Sequence, residues 1–364
     1  MVVQTPPRPW PGAVIKLDIC SGGDMRKLLF VPVLFAVAGT VAAGDEALFP
    51  AQQDGQWGLI DRDGEWVLSP RFEQIDAFSE GRGIAFDGDH FGVIDAAGDW
   101  VADPRFGPSG RSGDYRIPPL TPYRDGHTTY CWNPSPRRDR GCMLVDHDGE
   151  PRLSDHDHDA LGRVSEGLLA FQPEGPFGDW GVLSIDGDVV IEPEFHEVGI
   201  FVDGLAPAAK DRRSWGFINT RGEWVIEPEY QETKAFSEGL AAVQIGSWHW
   251  AYINREGEVV LDGGYRDAWS FDNGIAMVHD DDTRDYIFID SDGGAVLSEL
   301  LKRDDLCTIL PFQNGLAAAL VQAPDASGCG TTSTSRGDNR TMSAEHGVMA
   351  YFDSRGEMVW RAGD

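Results

Sequence analysis

Asp155-His156-Asp157-His158-Asp159, with His147 and Asp148 a few residues earlier, is the stretch of this chain whose residue types and spacing best suit metal chemistry. In an extended strand, alternation sets His156 and His158 on one face and the three aspartates on the other. Two imidazoles, joined by His147, then offer the donors that Zn, Cu or Ni prefers. A solvated connector has the same composition and needs no ion, and the sequence favours that reading. No cofactor is expected beyond a weak divalent metal at these histidines.

Asp61-Arg62-Asp63-Gly64, Asp146-His147-Asp148-Gly149 and Asp290-Ser291-Asp292-Gly293 resemble the start of calcium loops. Equivalent positions elsewhere read Asn219-Thr220-Arg221-Gly222 and Asn254-Arg255-Glu256-Gly257, which place a cation where a ligand is needed. The shared requirement is turn geometry, and none has the full EF-hand spacing. The chain has no Gly-x-Ser-x-Gly elbow, no His-Glu-x-x-His, no P-loop and no Gly-x-Gly-x-x-Gly. A non-enzymatic protein is expected, with a metal-dependent hydrolase as the residual alternative.

The elements that position these residues repeat. An aromatic-glycine doublet, a polar turn ending in glycine and a proline-aromatic pair recur from units starting at Trp57, Phe91, Cys142, Trp180, Trp215, Trp250, Tyr286 and Met349. Such periodicity, of about 35 residues, marks units that bury their apolar faces only by stacking on neighbours. Within a unit, two apolar runs joined by the turn read as a β-hairpin. Pro70, Pro104, Pro193 or Pro228 is expected to end the second strand, and Phe72, Phe106, Phe195 or Tyr230 then turns inward. A connector through Gly81, Gly167, Gly204, Gly239, Gly274 or Gly315 leads to a third strand. The fold class is all-β: about eight three-stranded units forming a propeller-like ring or an open β-superhelix. Leu48 to Gln53 reads as a third strand before the first unit, and the chain ends on a hairpin. A ring closed by pairing the two would show this phase, as would an open superhelix.

These copies resemble WG repeats, also called KWG repeats, a bacterial family, over residues 48 to 360 apart from two insertions. The resemblance implies an all-β repeat module that acts as a binding or interaction platform, and it carries over no catalytic residue. Trp57-Gly58, Trp180-Gly181, Trp215-Gly216 and Trp250 are the structural repeat positions, with the tryptophans in the core. Met143, Ala251, Ile287 and Ala350 replace the doublet glycine, so those units must differ locally. Trp66, Trp100 and Trp224 share one second-strand position and are expected to pack between units.

Residues 1–24 read as an untranslated or unstructured leader. Residues 25–43 have the basic start, apolar run and small-residue end of a signal peptide cleaved after Ala43. An apolar run of about fifteen residues is short for a membrane span, so no stable span is expected after cleavage. Residues 44–364 then form a single domain with insertions near 107–140 and 323–346. Cys131, Cys142, Cys307 and Cys329 fit a periplasmic or secreted protein with local pairing, Cys131 to Cys142 and Cys307 to Cys329.

The whole chain carries a formal net charge of −30; without residues 1–43, 26 Lys and Arg face 58 Asp and Glu. This disfavours nucleic acid and anionic membranes. It suits a solvated surface or an electrostatic platform for a basic protein or peptide. Trp132, Trp248 and Trp269 lie outside the repeated core positions and are the candidate ligand-facing aromatics. Two functions follow: an extracytoplasmic scaffold for a protein or peptide partner, and a glycan or cell-wall binding module. An acidic face rimmed by the insertions would favour the first, and a row of exposed aromatics the second.

Overall fold

The computed structural model describes residues 47–363, apart from 108–109, 113–114, 118–119, 133–140, 156–157, 174–177, 325, 327, 330, 333–340 and 343–346. Residues 1–43, expected to be a leader and a signal peptide, and His156 lie outside the described residues. Eight small antiparallel sheets form the blades of a β-propeller, in residues 49–72, 74–106, 127–155, 158–195, 197–230, 232–265, 267–296 and 306–361. They are numbered here 1 to 8.

Blades 2 and 4 to 8 have four strands, not three. In blade 6 these are Glu232–Thr233, Ala241–Gly246, His249–Ile253 and Val259–Tyr265. The added strand is the connector itself, which pairs in part with the strand that follows: Glu232 opposes Gln244. A blade is therefore the connector and third strand of one sequence unit joined to the hairpin of the next. The first strand lies nearest the axis and the fourth at the rim.

The prolines do not end the fourth strand but lie inside it, as Pro70 does in Trp66–Phe72. Between the pairs Trp57–Phe72 and Leu59–Leu68 the outer strand holds two extra residues, a bulge in which Pro70 needs no ladder partner. This explains the doublet glycine. A Cβ on Gly58 would stand 2.2 Å from Leu68 O, and one on Gly216 2.4 Å from Ile226 O, so the bulged backbone lies directly over the glycine. Where alanine stands instead, at Ala251, the bulge is built from Gly263 and Gly264. At Met143, Ile287 and Ala350 the two-residue bulge is missing from the pairing.

Each first strand turns into the second through a left-handed pair, as at Glu238 (φ 55°) and Gly239 (φ 82°), the geometry of a tight hairpin. The serine and the acid of this connector reach the next blade. Ser79, Ser165 and Ser237 hydroxyls donate to the carbonyls of Tyr123, Phe201 and Phe271. Glu80 accepts from the Asp125 and Gly126 amides, Asp125 from Gly167, Glu166 from Gly204 and Glu238 from Gly274. Asp272 accepts from Asn314 and Gly315. This end of the propeller is a latch face, and the connections between second and third strands and between blades lie at the opposite, loop face.

The ring closes, but not by pairing the chain ends: Phe49–Gln53 pairs with Gln56–Ile60, and the last hairpin pairs with Leu316–Gln322. Closure is by side-chain packing of blade 8 on blade 1. Trp360 meets Trp66 edge-on at 5.7 Å, repeating Phe72 on Trp100 and Phe195 on Trp224, both at 5.5 Å. A Cβ on Gly64 of blade 1 would meet Val359 O of blade 8, as one on Gly222 would meet Ile191 of the blade before it. Tyr351 donates its hydroxyl to Pro50 O at 2.9 Å.

Much of the first insertion belongs to blade 3. Leu120 bridges to Tyr130, His127–Trp132 is a blade strand, and the buried Tyr123 donates to Asp146 O. The expected disulfides both form, Cys131 to Cys142 and Cys307 to Cys329. Among the described residues no helix is long and apolar enough to cross a membrane.

Candidate functional site

Several sequence candidates turn out to serve the fold. Asp61 Oδ1 accepts from the Asp63 and Glu65 amides, and Asp146, Asn219, Asn254 and Asp290 repeat the pattern, so the calcium-like stretches are side-chain-braced turns. His147 sits in such a turn on the latch face, its Nε2 3.0 Å from Glu80 O, while its own carbonyl accepts from Arg82. His158 begins the first strand of blade 4, whose far end is the latch-face turn at Ser165. The two histidines thus lie at opposite ends of their blades, and the described residues contain no group of three His, Cys, Asp or Glu that could hold a metal.

Of the repeat tryptophans, Trp57 and Trp250 are buried, whereas Trp180 and Trp215 are half-buried. Trp66, Trp100 and Trp224 pack between blades as expected. Trp132 ends its strand opposite Gly141, and its side chain lies outside the described residues.

The loop face at blades 5 to 7 is where unassigned polar and aromatic groups gather. Glu197, Glu232 and Asp267 occupy the same position in three successive first strands. Burial, reinforced by Glu232, pushes the Glu197 carboxyl up. Burial likewise raises Asp267, against the pull of Lys234. Lys234 stands 3.3 Å from Glu232 and lies over the Trp250 ring at 5.0 Å. Carboxylates held partly out of water at one sign are destabilising to the fold, and a cation that joins them relieves that cost.

Beside them, Trp269 packs edge-on against Tyr286, which stacks on His279 at 4.8 Å. Tyr286 is exposed, and the loop before it carries Asp280, Asp281 and Asp282. The Tyr252 hydroxyl, donating to Trp269 O at 2.7 Å, fixes the backbone there. Trp248, in the loop of blade 6, is the most exposed of the large apolar side chains among the described residues, and Arg266 lies over its ring. Periodicity flags Trp248 and Trp269 as outsiders and sets the three carboxylates at one repeat position, but their burial depends on the connector being a strand.

The last part of the first insertion, between Trp132 and Gly141, and the second, between Gln322 and Gly347, leave and rejoin strands whose ends reach this same loop face. The face is thus acidic near the axis at blades 5 to 7.

Residues 57–88, 180–212, 215–247 and 250–282 match the family described as WG containing repeat. No curated protein matches the chain. Similar solved structures include BamB from Moraxella catarrhalis, 11% identical, with 65% of this chain and 79% of that chain covered and a TM-score of 0.38. Others are dihydro-heme d1 dehydrogenase NirN in complex with DHE, 12% identical, covering 89% and 76% with a TM-score of 0.49, and Kluyveromyces lactis Hsv2p, 9% identical, covering 76% and 90% with a TM-score of 0.38. These are likenesses of overall shape, and nothing about ligand or partner follows from them.

Proposed function

For this chain of WG repeats, we propose a non-enzymatic, extracytoplasmic interaction scaffold whose loop face receives a basic segment of a protein or peptide partner. The observation that carries the reading is the alignment of Glu197, Glu232 and Asp267 in adjacent blades, with burial raising two of the three. A lysine or arginine side chain entering there exchanges water for these carboxylates, and the rings of Tyr286 and Trp269 lie alongside for its apolar stem. The large negative charge of the chain draws such a partner in from a distance. Two disulfides support the compartment, since they persist where thiols oxidise.

The test is the binding of a fluorescent oligo-arginine peptide, measured by anisotropy at low and high salt. The wild-type chain should bind it in a salt-sensitive way, and Glu197→Gln/Glu232→Gln/Asp267→Asn should weaken it by about tenfold or more. Equal binding by the triple variant would reject the site. A partner recovered from the envelope of the source organism counts only if this same variant fails to retain it.

A further inference from the structure

Trp248 sits in the tight turn between the second and third strands of blade 6 with φ at +58°, a left-handed backbone costly for a bulky residue. In the matching turn of blade 1, the equivalent left-handed position is held by Gly55. Trp248 is also 69% exposed, so neither the turn nor the core accounts for an indole there. Its surroundings are ordered: the Arg266 guanidinium lies 5.9 Å from the ring centre, and Arg266 is held 3.1 Å from Asp281. The adjacent His249 places Nε2 2.7 Å from Asp262 Oδ1, and this hydrogen bond keeps the Asp262 carboxyl below the usual range. Gly264 also donates to Oδ1, leaving Oδ2 available as an acceptor on a half-exposed side chain.

The chemistry of an occupant follows by elimination. With a guanidinium already at the indole, a second cation stacked on the ring is repelled. Asp262 and Asp281 oppose an anion. What remains is a neutral group with an apolar face for the indole and hydroxyls for the Arg266 fork and Asp262 Oδ2. A proline or another apolar peptide side chain satisfies the indole but leaves Asp262 desolvated without a donor. From this geometry we infer that Trp248, Arg266 and Asp262 form a binding site for a neutral saccharide, separate from the carboxylates that receive the basic partner.

The experiment is a microarray of neutral and charged oligosaccharides probed with the full chain, followed by calorimetry on the strongest neutral ligand. Trp248→Ala should fold normally by circular dichroism and lose about tenfold or more in affinity, and Trp248→Phe should recover part of it. Asp262→Asn should weaken binding less. Affinity should hardly change with salt and should survive Glu197→Gln/Glu232→Gln/Asp267→Asn, which separates this site from the basic-partner site. An array without neutral ligands, ligands retained equally by Trp248→Ala, or Trp248-dependent binding of decaproline in place of sugars would each overturn the assignment.

Discussion

Blades 4 and 5 meet across a peptide connection, whereas blades 8 and 1 meet across none, and the two interfaces solve the same packing problem with different means. Between blades 4 and 5, Phe195 packs on Trp224, the Ser165 hydroxyl reaches Phe201 O, and Glu166 accepts from the Gly204 amide. At the seam, the Trp66–Trp360 pair and the glycine contact recur, while Phe49 and Tyr351 lie 5.7 Å apart and Tyr351 bonds to Pro50 O. One buried cluster unites Leu48, Phe49 and Trp57 with Met349, Tyr351 and Trp360. A ring without strand exchange can close if its last interface repeats the others and adds aromatic burial. The cost is that this interface alone is free to open while both flanking blades stay folded.

The strongest way to break the comparison is Trp360→Ala. Removing this buried indole should cost about 3–5 kcal/mol, and Trp224→Ala, at a half-exposed position, about 2–3 kcal/mol. The sharper readout is where protection is lost. Hydrogen exchange should rise chiefly in blades 1 and 8 for Trp360→Ala, and over the neighbouring arc for Trp224→Ala. A uniform rise for both would show that the seam is not a local weak point. Next in size is Gly216→Ala. Its methyl would meet the bulged backbone at Ile226 O, at about 1–3 kcal/mol, while Ala251→Gly in blade 6 should cost only about 1 kcal/mol. Thermal melts that rank the two in the opposite order would contradict the bulge as the reason for the glycine.

That glycine shows what the sequence made legible and what it did not. The spacing of aromatic, turn glycine, proline and connector revealed the repeat and its number of units, and the positions of the four cysteines favoured the two local disulfides that form. Propeller and superhelix share one local grammar, so closure had to come from contacts 300 residues apart, such as Tyr351 with Pro50. The connector read as a loop because its first strand is only two residues long in blades 5 to 7, too short to show alternation. Glu197, Glu232 and Asp267 follow Trp180, Trp215 and Trp250 at one repeat position, so their alignment was legible in the spacing; their partial burial was not, because it depends on the connector being a strand. Trp248 was visible as an aromatic out of phase, but its backbone conformation was not.

Between these extremes lies the connector serine. Ser237 is buried, and its loss as Ser237→Ala leaves Phe271 O without its donor, at a cost of about 1–3 kcal/mol. Glu238→Gln, which keeps an acceptor at an exposed turn, should cost less than 1 kcal/mol or so. Blade 5 has Val202 where blades 2, 4 and 6 have Ser79, Ser165 and Ser237. The latch from blade 5 to blade 6 instead runs from Arg255 back to the carbonyl and carboxylate of Asp203. Arg255→Met should therefore loosen that interface and no other, as read by hydrogen exchange at residues 203–204.

The smallest effect separates the loop face from the latch face by pH. The folded carboxyls of Glu197 and Asp267 are raised above their unfolded values, so the fold binds their protons more tightly than the unfolded chain does. Their ionisation thus costs stability above the folded pKa. The cost shrinks as pH falls through the folded pKa and is gone below the unfolded one. Glu197→Gln and Asp267→Asn should accordingly raise the melting temperature at pH 7 to 8, with the gain vanishing near pH 4. Asp353 on the latch face runs the other way, since its bonds to Arg355 and to the Glu357 amide outweigh burial and lower its carboxyl. Asp353→Asn should lower the melting temperature at neutral pH, an effect that fades as acid protonates the carboxylate in both states. If Glu197→Gln destabilises at pH 7, those carboxylates are structural partners, not groups held ready for a cation, and the basic-segment reading loses its energetic basis.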